Sequence, residues 1–322
     1  MKNVKFLLKC ILVLLPVISV VLYTALVPYG YMDIEYPSWE YTKNVTKQAD
    51  SPKTLILGDS RAMADLIPAE FDSSAVNLAV GGATSIEMYY TLNSYIKNNG
   101  RPDNVIIMIA PFHYTIIDNF WTRTAYFNYL SVKDMSELYT YAKACNSETL
   151  LHDGYQNDLL SYRLRFPDKY LPALINSKLI SRYSDNASEY IKISSNLGYG
   201  EFGTEDGCSD LNYETGYEEM HTSGDAVLLD VYLNRLLSLC EDNNINTLLT
   251  IPPMNQASFN ELNSSYTDDL HYYFEGLKSR HTNVTIESEI PVYDNSYFGD
   301  ASHLNHYGAL KYTEDFLNNH KY

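Results

Sequence analysis

Short apolar runs alternate with segments of helical periodicity through much of this chain, and the alternation restricts the folds open to it. Runs of strand character are predicted at residues 54–57, 75–80, 105–110, 247–251 and 284–286. The run at 105–110 is apolar throughout, as expected of a parallel strand that is covered on both faces. Strands that alternate with helices predict an α/β fold, a doubly wound parallel sheet with right-handed crossovers.

One long stretch, from about residue 115 to 220, departs from this alternation. Helical periodicity is present at 135–144 and 170–180, and a stretch rich in Gly, Asp and Tyr follows at 198–216. A structureless loop of this length is uncommon inside a compact domain. We therefore predict a largely helical insertion in the sheet domain.

The N-terminal residues are typical of a single membrane-spanning helix. Lys2, Lys5 and Lys9 precede an uncharged stretch at 10–27, which is at the short end of what spans a bilayer. Lysines before this stretch and acidic residues after it predict that the N-terminus lies inside and the main domain outside. A cleaved signal peptide is the alternative, but a small-residue cleavage site is hard to find. The predicted parts are an anchor over 1–28, an extracytoplasmic tether over 29–52 and a catalytic domain over 53–322.

The charge balance argues against a nucleic-acid partner. Asp and Glu number 40 against 23 Lys and Arg, which gives a formal net charge of −17, whereas phosphate binding needs clustered basic residues. No phosphate-binding glycine loop, zinc-binding histidine pair or Cys-x-x-Cys motif occurs. We therefore expect no cofactor and no metal.

Two motifs at opposite ends of the main domain carry candidate chemistry. Ser60 follows the first predicted strand in the motif GDS, at the carboxyl end of a strand, where open α/β sheets place their sites. Asp300 and His303, in the motif DASH, supply the carboxylate and base that a nucleophilic serine needs. Taken singly, each motif is an ordinary turn or helix start. Together they favour a catalytic Ser60–His303–Asp300 triad.

Three further residues are candidates for roles beside this triad. His306 is the alternative base, because it lies three residues past His303. Arg61 either holds an anionic substrate group near the nucleophile or pairs with a local carboxylate. Asn255, in a proline-rich segment after the fourth strand, is a candidate for lining the substrate cleft.

Four motifs together make the sequence similar to the SGNH, or GDSL-type, hydrolase superfamily. They are GDS at 58–60, NLAVGG at 77–82, the strand at 105–110 and DASH at 300–303. The resemblance covers most of the chain from residue 54 onward, apart from the insertion. It implies a flavodoxin-like sheet.

The same resemblance implies a role for each matching residue. Ser60 would be the nucleophile, His303 the base and Asp300 its orienting carboxylate. The backbone N–H of Ser60 and that of Gly81 or Gly82 would form the oxyanion hole. A glycine suits this role because no Cβ keeps the developing oxyanion away from its amide.

The chain departs from the family pattern after the third strand. Many members place an asparagine there, in a Gly-x-Asn-Asp block, as an additional oxyanion donor, whereas this chain has APFH at 110–113. His113 is a candidate donor in that position. The alternative is that His113 is a packed and hydrogen-bonded histidine.

The chain also resembles a membrane-anchored branch of the superfamily that acts at bacterial cell surfaces. This branch includes polysaccharide O-acetyltransferase components and the D-alanine transfer protein of teichoic acid synthesis. The pattern HLNxxGA at 303–309, followed by Tyr312 and Thr313, carries this likeness. It implies an esterase or acyltransferase that acts on an acyl group, most simply acetyl, of a cell-surface glycan.

The likeness also implies a location and partners. The protein would lie in the bacterial cytoplasmic membrane as a single-pass protein with an extracytoplasmic catalytic domain. Its partners would be the glycan, the membrane and a membrane-bound acyltransferase. The alternative function, motivated by the missing asparagine, is a non-catalytic domain of this type that binds glycan or such an acyltransferase.

Overall fold

Five parallel strands form the central sheet, in the order β2-β1-β3-β4-β6. This is the arrangement in a computed structural model that describes residues 2–48, 52–164, 167–176, 182–203 and 205–320. Two further short strands, β5 and β7, pair in parallel beside the sheet. The strands are β1 Thr54–Gly58, β2 Ala75–Asn77, β3 Asn104–Met108, β4 Asn246–Thr250, β5 Met254–Asn255, β6 Thr285–Ile286 and β7 Val292–Tyr293.

Helices connect these strands and cover the sheet. They are α1 Lys2–Leu26, α2 Tyr36–Lys47, α3 Ser60–Asp65, α4 Ser85–Asn99, α5 Val132–Cys145, α6 Tyr155–Arg163, α7 Pro167–Asn176, α8 Arg182–Ser195, α9 Gly224–Asp242, α10 Gln256–Asn260, α11 Ser264–Arg280 and α12 His306–Asn319. The predicted α/β fold with a parallel sheet is therefore confirmed.

The long stretch between residues 115 and 220 contains α5, α6, α7 and α8. A helix was expected at 170–180; α7 covers its first part, and residues 177–180 lie outside the described residues. The second sheet strand is shorter than the predicted run at 75–80, since β2 ends at Asn77.

Side chains of the central strands alternate between two apolar layers. Leu55 and Leu57 of β1 belong to the layer formed with α2, α4, α9 and α11, whereas Ile56 packs in the layer formed with α3 and α12. All three are fully buried. A sheet covered on both faces explains why these strands read as continuous apolar runs. Each such side chain stabilises the fold by roughly 1.5–3 kcal/mol relative to exposure.

The strand order determines where a site can form. The chain runs from β1 to β2 on one side and then crosses to β3 on the other side of β1. The carboxyl ends of β1 and β3 therefore border the crevice in which open α/β sheets bind their ligands. Ser60 directly follows β1, and Ala110 follows β3.

The N-terminal segment forms α1. In the described part of the chain, no helix has the length and apolar character needed to cross a membrane. The transmembrane helix that we predicted at the N-terminus is therefore not found. The lysines at positions 2, 5 and 9 lie within α1, which leaves roughly 17 uncharged residues, or about 26 Å of helix, against a hydrocarbon core of ~30 Å.

The segment that we predicted as a tether contributes to the core. Tyr31, Met32 and Trp39 are buried and pack in the layer that includes α4. The amide of Asn186 on α8 donates hydrogen bonds to the carbonyls of Tyr29 and Met32. This packing brings Glu35 and the start of α2 close to the carboxyl end of the sheet, where Glu35 pairs with Arg123.

Candidate active site

The GDS motif forms the turn between β1 and α3. Asp59 is the N-cap of α3, and its carboxylate accepts a hydrogen bond from the amide of Arg61 at 3.0 Å. Ser60 is the first residue of the helix, so its own N–H is one of the helix amides without an intrahelical partner. A Cβ at Gly58 would lie 2.2 Å from the carbonyl oxygen of Met108, so only glycine fits at that position.

The DASH motif lies on a short loop that is tied to α3 and to the start of α12. The amide of Leu304 donates to the carboxylate of Asp65 at 3.1 Å, and Asn305 caps α12 by accepting from Gly308 N–H at 2.9 Å. The Asn305 side chain also donates to the carbonyl of Ser296 at 2.9 Å. Burial raises the pKa of Asp65 well above its usual range. These contacts fix the loop that carries His303.

Ser60, His303 and Asp300 form a continuous chain of contacts. His303 Nε2 lies 2.8 Å from Ser60 Oγ, and His303 Nδ1 lies 2.8 Å from Asp300 Oδ2. Burial acts to raise the pKa of Asp300, but hydrogen bonds from His303 and from the Ser302 amide outweigh it and lower that pKa. An ionised Asp300 keeps the Nδ1–H tautomer of His303, which leaves Nε2 free to accept the serine proton.

Two neighbours define the surroundings of His303. The ring of Phe202, from the long insertion, stacks on the His303 imidazole with 4.8 Å between centroids and 18° between planes. His306, the alternative base, lies elsewhere. Its Nδ1 is 3.4 Å from the hydroxyl of Tyr199 and 3.5 Å from the carboxylate of Glu201.

His113 is buried against the turn between β1 and α3. Its Nδ1 lies 2.9 Å from Asp59 Oδ2, which also accepts from the amide of Ala110 at 2.9 Å. Its Nε2 is 3.6 Å from Asp118 Oδ1, which is an ion-pair distance and too long for a hydrogen bond. Burial acts to lower the pKa of His113, but the carboxylates of Asp118 and Asp59 outweigh it and raise that pKa to about 9. His113, the candidate oxyanion donor, thus lies between two carboxylates.

The Gly81–Gly82 turn lies beside the turn that carries Ser60. The amide of Val80 bonds the carbonyl of Gly58, two residues before Ser60. Gly82 has φ +73°, and a Cβ there would lie 2.5 Å from Asn119 Nδ2. Neither glycine amide donates a hydrogen bond to another residue of the described ranges. Both amides are therefore available as oxyanion donors.

Glu35, Asn119 and Arg123 surround this turn and were not found from the sequence. Arg123 Nη1 donates to the carbonyl of Gly81 at 2.8 Å, and Nη2 pairs with Glu35. Glu35 lies before α2, and Arg123 lies in a π-helical turn over Phe120–Ala125. No periodicity or motif relates residue 35 to residue 123, because only the folded chain brings them together.

The two residues expected near the substrate cleft have other partners. Arg61 is buried and forms an ion pair of 2.8 Å with the fully buried Glu214. The structure thus pairs Arg61 with a carboxylate from a distant part of the chain, and its predicted role in holding an anionic substrate group stays a prediction. Asn255 is buried, caps α10 through Ser258 N–H at 2.7 Å, and donates to the carbonyl of Asp210 at 3.0 Å. Its side chain is engaged within the fold.

A large cavity of about 1050 Å³ lies away from the triad. Tyr114, Met220, Val227 and Tyr272 are among its lining residues, which come mainly from α9, α11 and the segment before α9. Tyr114 directly follows His113, so one short 3₁₀ segment both lines this cavity and contacts Asp59. Within the ranges described above, no group of three or more His, Cys, Asp or Glu side chains is arranged to hold a metal ion.

The arrangement of hydroxyl, imidazole and carboxylate in series can transfer a proton from Ser60 to His303 while Asp300 stabilises the resulting imidazolium.

No protein-family model matches this chain, and no curated protein matches it either. The chemistry of the site therefore depends on this geometry.

Proposed function

We propose that this protein is a serine esterase or acyltransferase of the SGNH type. One observation carries the proposal: His303 lies 2.8 Å from Ser60 Oγ through Nε2 and 2.8 Å from Asp300 through Nδ1. A nucleophilic serine needs an adjacent base that is itself oriented by a third group. Three residues separated by up to 243 positions in the chain meet this requirement.

The mechanism follows from these contacts. Ser60 Oγ attacks the carbonyl carbon of an ester while His303 Nε2 takes the serine proton. The tetrahedral intermediate collapses, its C–O bond to the leaving alcohol breaks, and His303 returns the proton to that alcohol. The acyl group is then bound to Ser60. Water or a second hydroxyl then attacks the acyl carbon while His303 takes its proton. The bond from that carbon to Ser60 Oγ breaks, and His303 returns the proton to Oγ, which restores the free serine.

Two backbone amides complete the proposed site. The N–H of Ser60 lies at the start of α3, and beside it lies the Gly81–Gly82 turn, whose amides have no acceptor among the described residues. Donors of this kind lower the barrier by binding the oxygen on which negative charge develops. His113 is engaged with Asp59, so the proposed oxyanion hole does not include it.

The strand order supports the resemblance to the SGNH superfamily. Counted within the sheet, it is 2-1-3-4-5, the order of flavodoxin-like folds. The proposed nucleophile follows the first strand of this sheet, and the proposed acid–base pair precedes the last helix.

The substrate and location rest on the sequence alone. We infer an acyl group, most simply acetyl, on a cell-surface glycan, with a membrane-bound acyltransferase as a further partner. Attachment to the bacterial cytoplasmic membrane stays a prediction, which fractionation of cells that express the full chain would test. Recovery of the protein in the soluble fraction would overturn it.

The catalytic proposal is tested by labelling and turnover. The full chain should react with a fluorophosphonate probe at Ser60 and hydrolyse p-nitrophenyl acetate, and Ser60→Ala should lose both activities. Ser302→Ala is the matched control, because Ser302 lies on the same loop as His303 but outside the contact chain, and it should retain both.

Equal rates for the wild type and Ser60→Ala would overturn the catalytic proposal and favour the non-catalytic alternative. Addition of a sugar acceptor separates the two reactions. An acyltransferase should form the acylated sugar at the expense of free acetate, whereas an esterase should release acetate in both cases.

A further inference from the structure

The Gly81–Gly82 turn has no side chain of its own with which to fix its orientation. Gly82 adopts a left-handed φ of +73°. Glycine populates positive and negative φ about equally, so the residue itself does not hold this conformation. A Cβ at Gly81 would lie 2.3 Å from Glu35 Oε2, and one at Gly82 would lie 3.1 Å from Arg123 Nη1. Groups from other parts of the chain therefore determine which way the amides of this turn point.

Arg123 fixes the peptide plane between the two glycines. Its Nη1 donates to the carbonyl oxygen of Gly81 at 2.8 Å. In a trans peptide the carbonyl and the following N–H point in opposite directions. With the Gly81 carbonyl held by Arg123, the N–H of Gly82 must point away from Arg123. No other residue in the described ranges accepts a hydrogen bond from that N–H.

Glu35 in turn fixes the guanidinium of Arg123. The Glu35 carboxylate pairs with Nη2, so the planar guanidinium is held at two of its nitrogens. This fork geometry is specific to arginine, since a lysine ammonium cannot reproduce it. The second carboxylate oxygen, Oε2, is buried and has no hydrogen-bond partner in the part of the chain that the structure describes. Burial raises the pKa of Glu35, whereas Arg123 opposes that shift.

The segment that carries Arg123 is itself tied to the helix that follows the glycine turn. Thr124 donates to Glu87 Oε1 at 2.7 Å, and Glu87 Oε2 accepts from the amide of Thr84 at 2.9 Å in the capping box of α4. The turn is therefore held at its carbonyl by Arg123 and at its exit by Glu87. The π-helical turn over Phe120–Ala125 thus contacts both groups that hold the glycine turn: it contains Arg123, and through Thr124 it binds Glu87 of α4.

We propose that Arg123, oriented by Glu35, is a positioning residue that aims the Gly82 amide at the oxyanion. This inference rests on the proposed function and selects Gly82 over Gly81 as the donor. Arg123 does not touch the reacting atoms; it acts through the peptide plane. Its loss should weaken binding of the charged intermediate much more than binding of the neutral ester, because only the intermediate needs a strongly aligned donor.

The test compares Arg123→Gln with Arg235→Gln. Arg235 on α9 forms an ion pair with Glu137 on α5, and its side chain is 20% exposed, as is that of Arg123. For Arg123→Gln we expect kcat for p-nitrophenyl acetate to fall by roughly 10- to 100-fold, with KM changed less than about threefold. Arg235→Gln should leave kcat within about twofold. Arg123→Lys retains the positive charge but cannot bind Gly81 and Glu35 with two fixed nitrogens, so its kcat should lie between that of the wild type and that of Arg123→Gln.

Each outcome decides between distinct possibilities. If the wild type shows no turnover that depends on Ser60, the proposed function fails and this inference fails with it. If the wild type is active but Arg123→Gln matches Arg235→Gln, or changes KM alone, only the inference is overturned. Should Arg123→Gln not fold, Glu35→Gln replaces it. This variant frees the guanidinium while retaining a side chain of the same size, and an unchanged kcat for it would also overturn the inference.

Discussion

Two histidines near the turn between β1 and α3 make the same first contact but differ in the second. His303 and His113 each place Nδ1 within 2.9 Å of an aspartate, Asp300 and Asp59 respectively. The Nε2 of His303 faces the hydroxyl of Ser60 at 2.8 Å. The Nε2 of His113 faces a second carboxylate, Asp118, at 3.6 Å. The side chain of His303 is 16% exposed and that of His113 only 3%.

This difference shows that an aspartate–histidine pair does not by itself make a catalytic base. Two carboxylates around a buried imidazole favour its charged form, in which neither nitrogen can accept a proton. One carboxylate and one neutral hydroxyl leave the second nitrogen able to accept a proton. His113 therefore fits a structural role that supports Asp59, the N-cap of α3, whereas His303 fits the role of general base.

The largest expected effect comes from replacing His303, the more exposed of the two histidines. His303→Gln should lower kcat for p-nitrophenyl acetate by about 10⁴-fold, because Ser60 loses its proton acceptor. The free energy of unfolding should change by less than about 1 kcal/mol. His306→Gln is the matched control and should retain activity. An equal loss of kcat in both variants would make His306 a second essential group and contradict the assignment.

The buried histidine should show the opposite pattern. His113→Leu leaves the Asp59 carboxylate buried without its cationic partner, and we expect the free energy of unfolding to fall by about 3 kcal/mol. Labelling of Ser60 by a fluorophosphonate, measured per folded molecule, should stay within tenfold of wild type. Denaturant unfolding measures the first quantity. A variant with unchanged stability but a 10³-fold slower labelling rate would instead place His113 in the catalytic machinery.

The pH dependence of stability gives an effect of similar size, spread over a range of pH. The pKa of His113 is raised to about 9 in the folded protein, against about 6.5 in an unfolded chain. Its contribution to stability is therefore complete below pH 6.5, declines as pH rises and is lost above pH 9, with a total of about 3 kcal/mol. Between pH 6.5 and 9.5, the free energy of unfolding of the wild type should fall by this amount relative to that of His113→Gln. Parallel stability curves for the two proteins would contradict this assignment.

The sequence predicted those parts of the site that depend on local order along the chain. The position of Ser60 after the first strand follows from an apolar run that ends at glycine, and the spacing of Asp300 and His303 places carboxylate and imidazole on one turn. Neither relation requires knowledge of the fold. The expectations for His113 and Asn255 were less informative, because their burial depends on segments far away in the chain.

The sequence by itself determined the α/β class, since alternating strands and helices can bury their apolar faces in few other ways. It also determined the identities of the nucleophile, base and orienting residues that we propose. Only the tertiary structure decided that residues 29–47 pack against the sheet domain and bring Glu35 to Arg123. It alone placed His113 between two carboxylates and Phe202 on His303. These contacts join residues with no periodic relation, and their geometry depends on how whole layers pack.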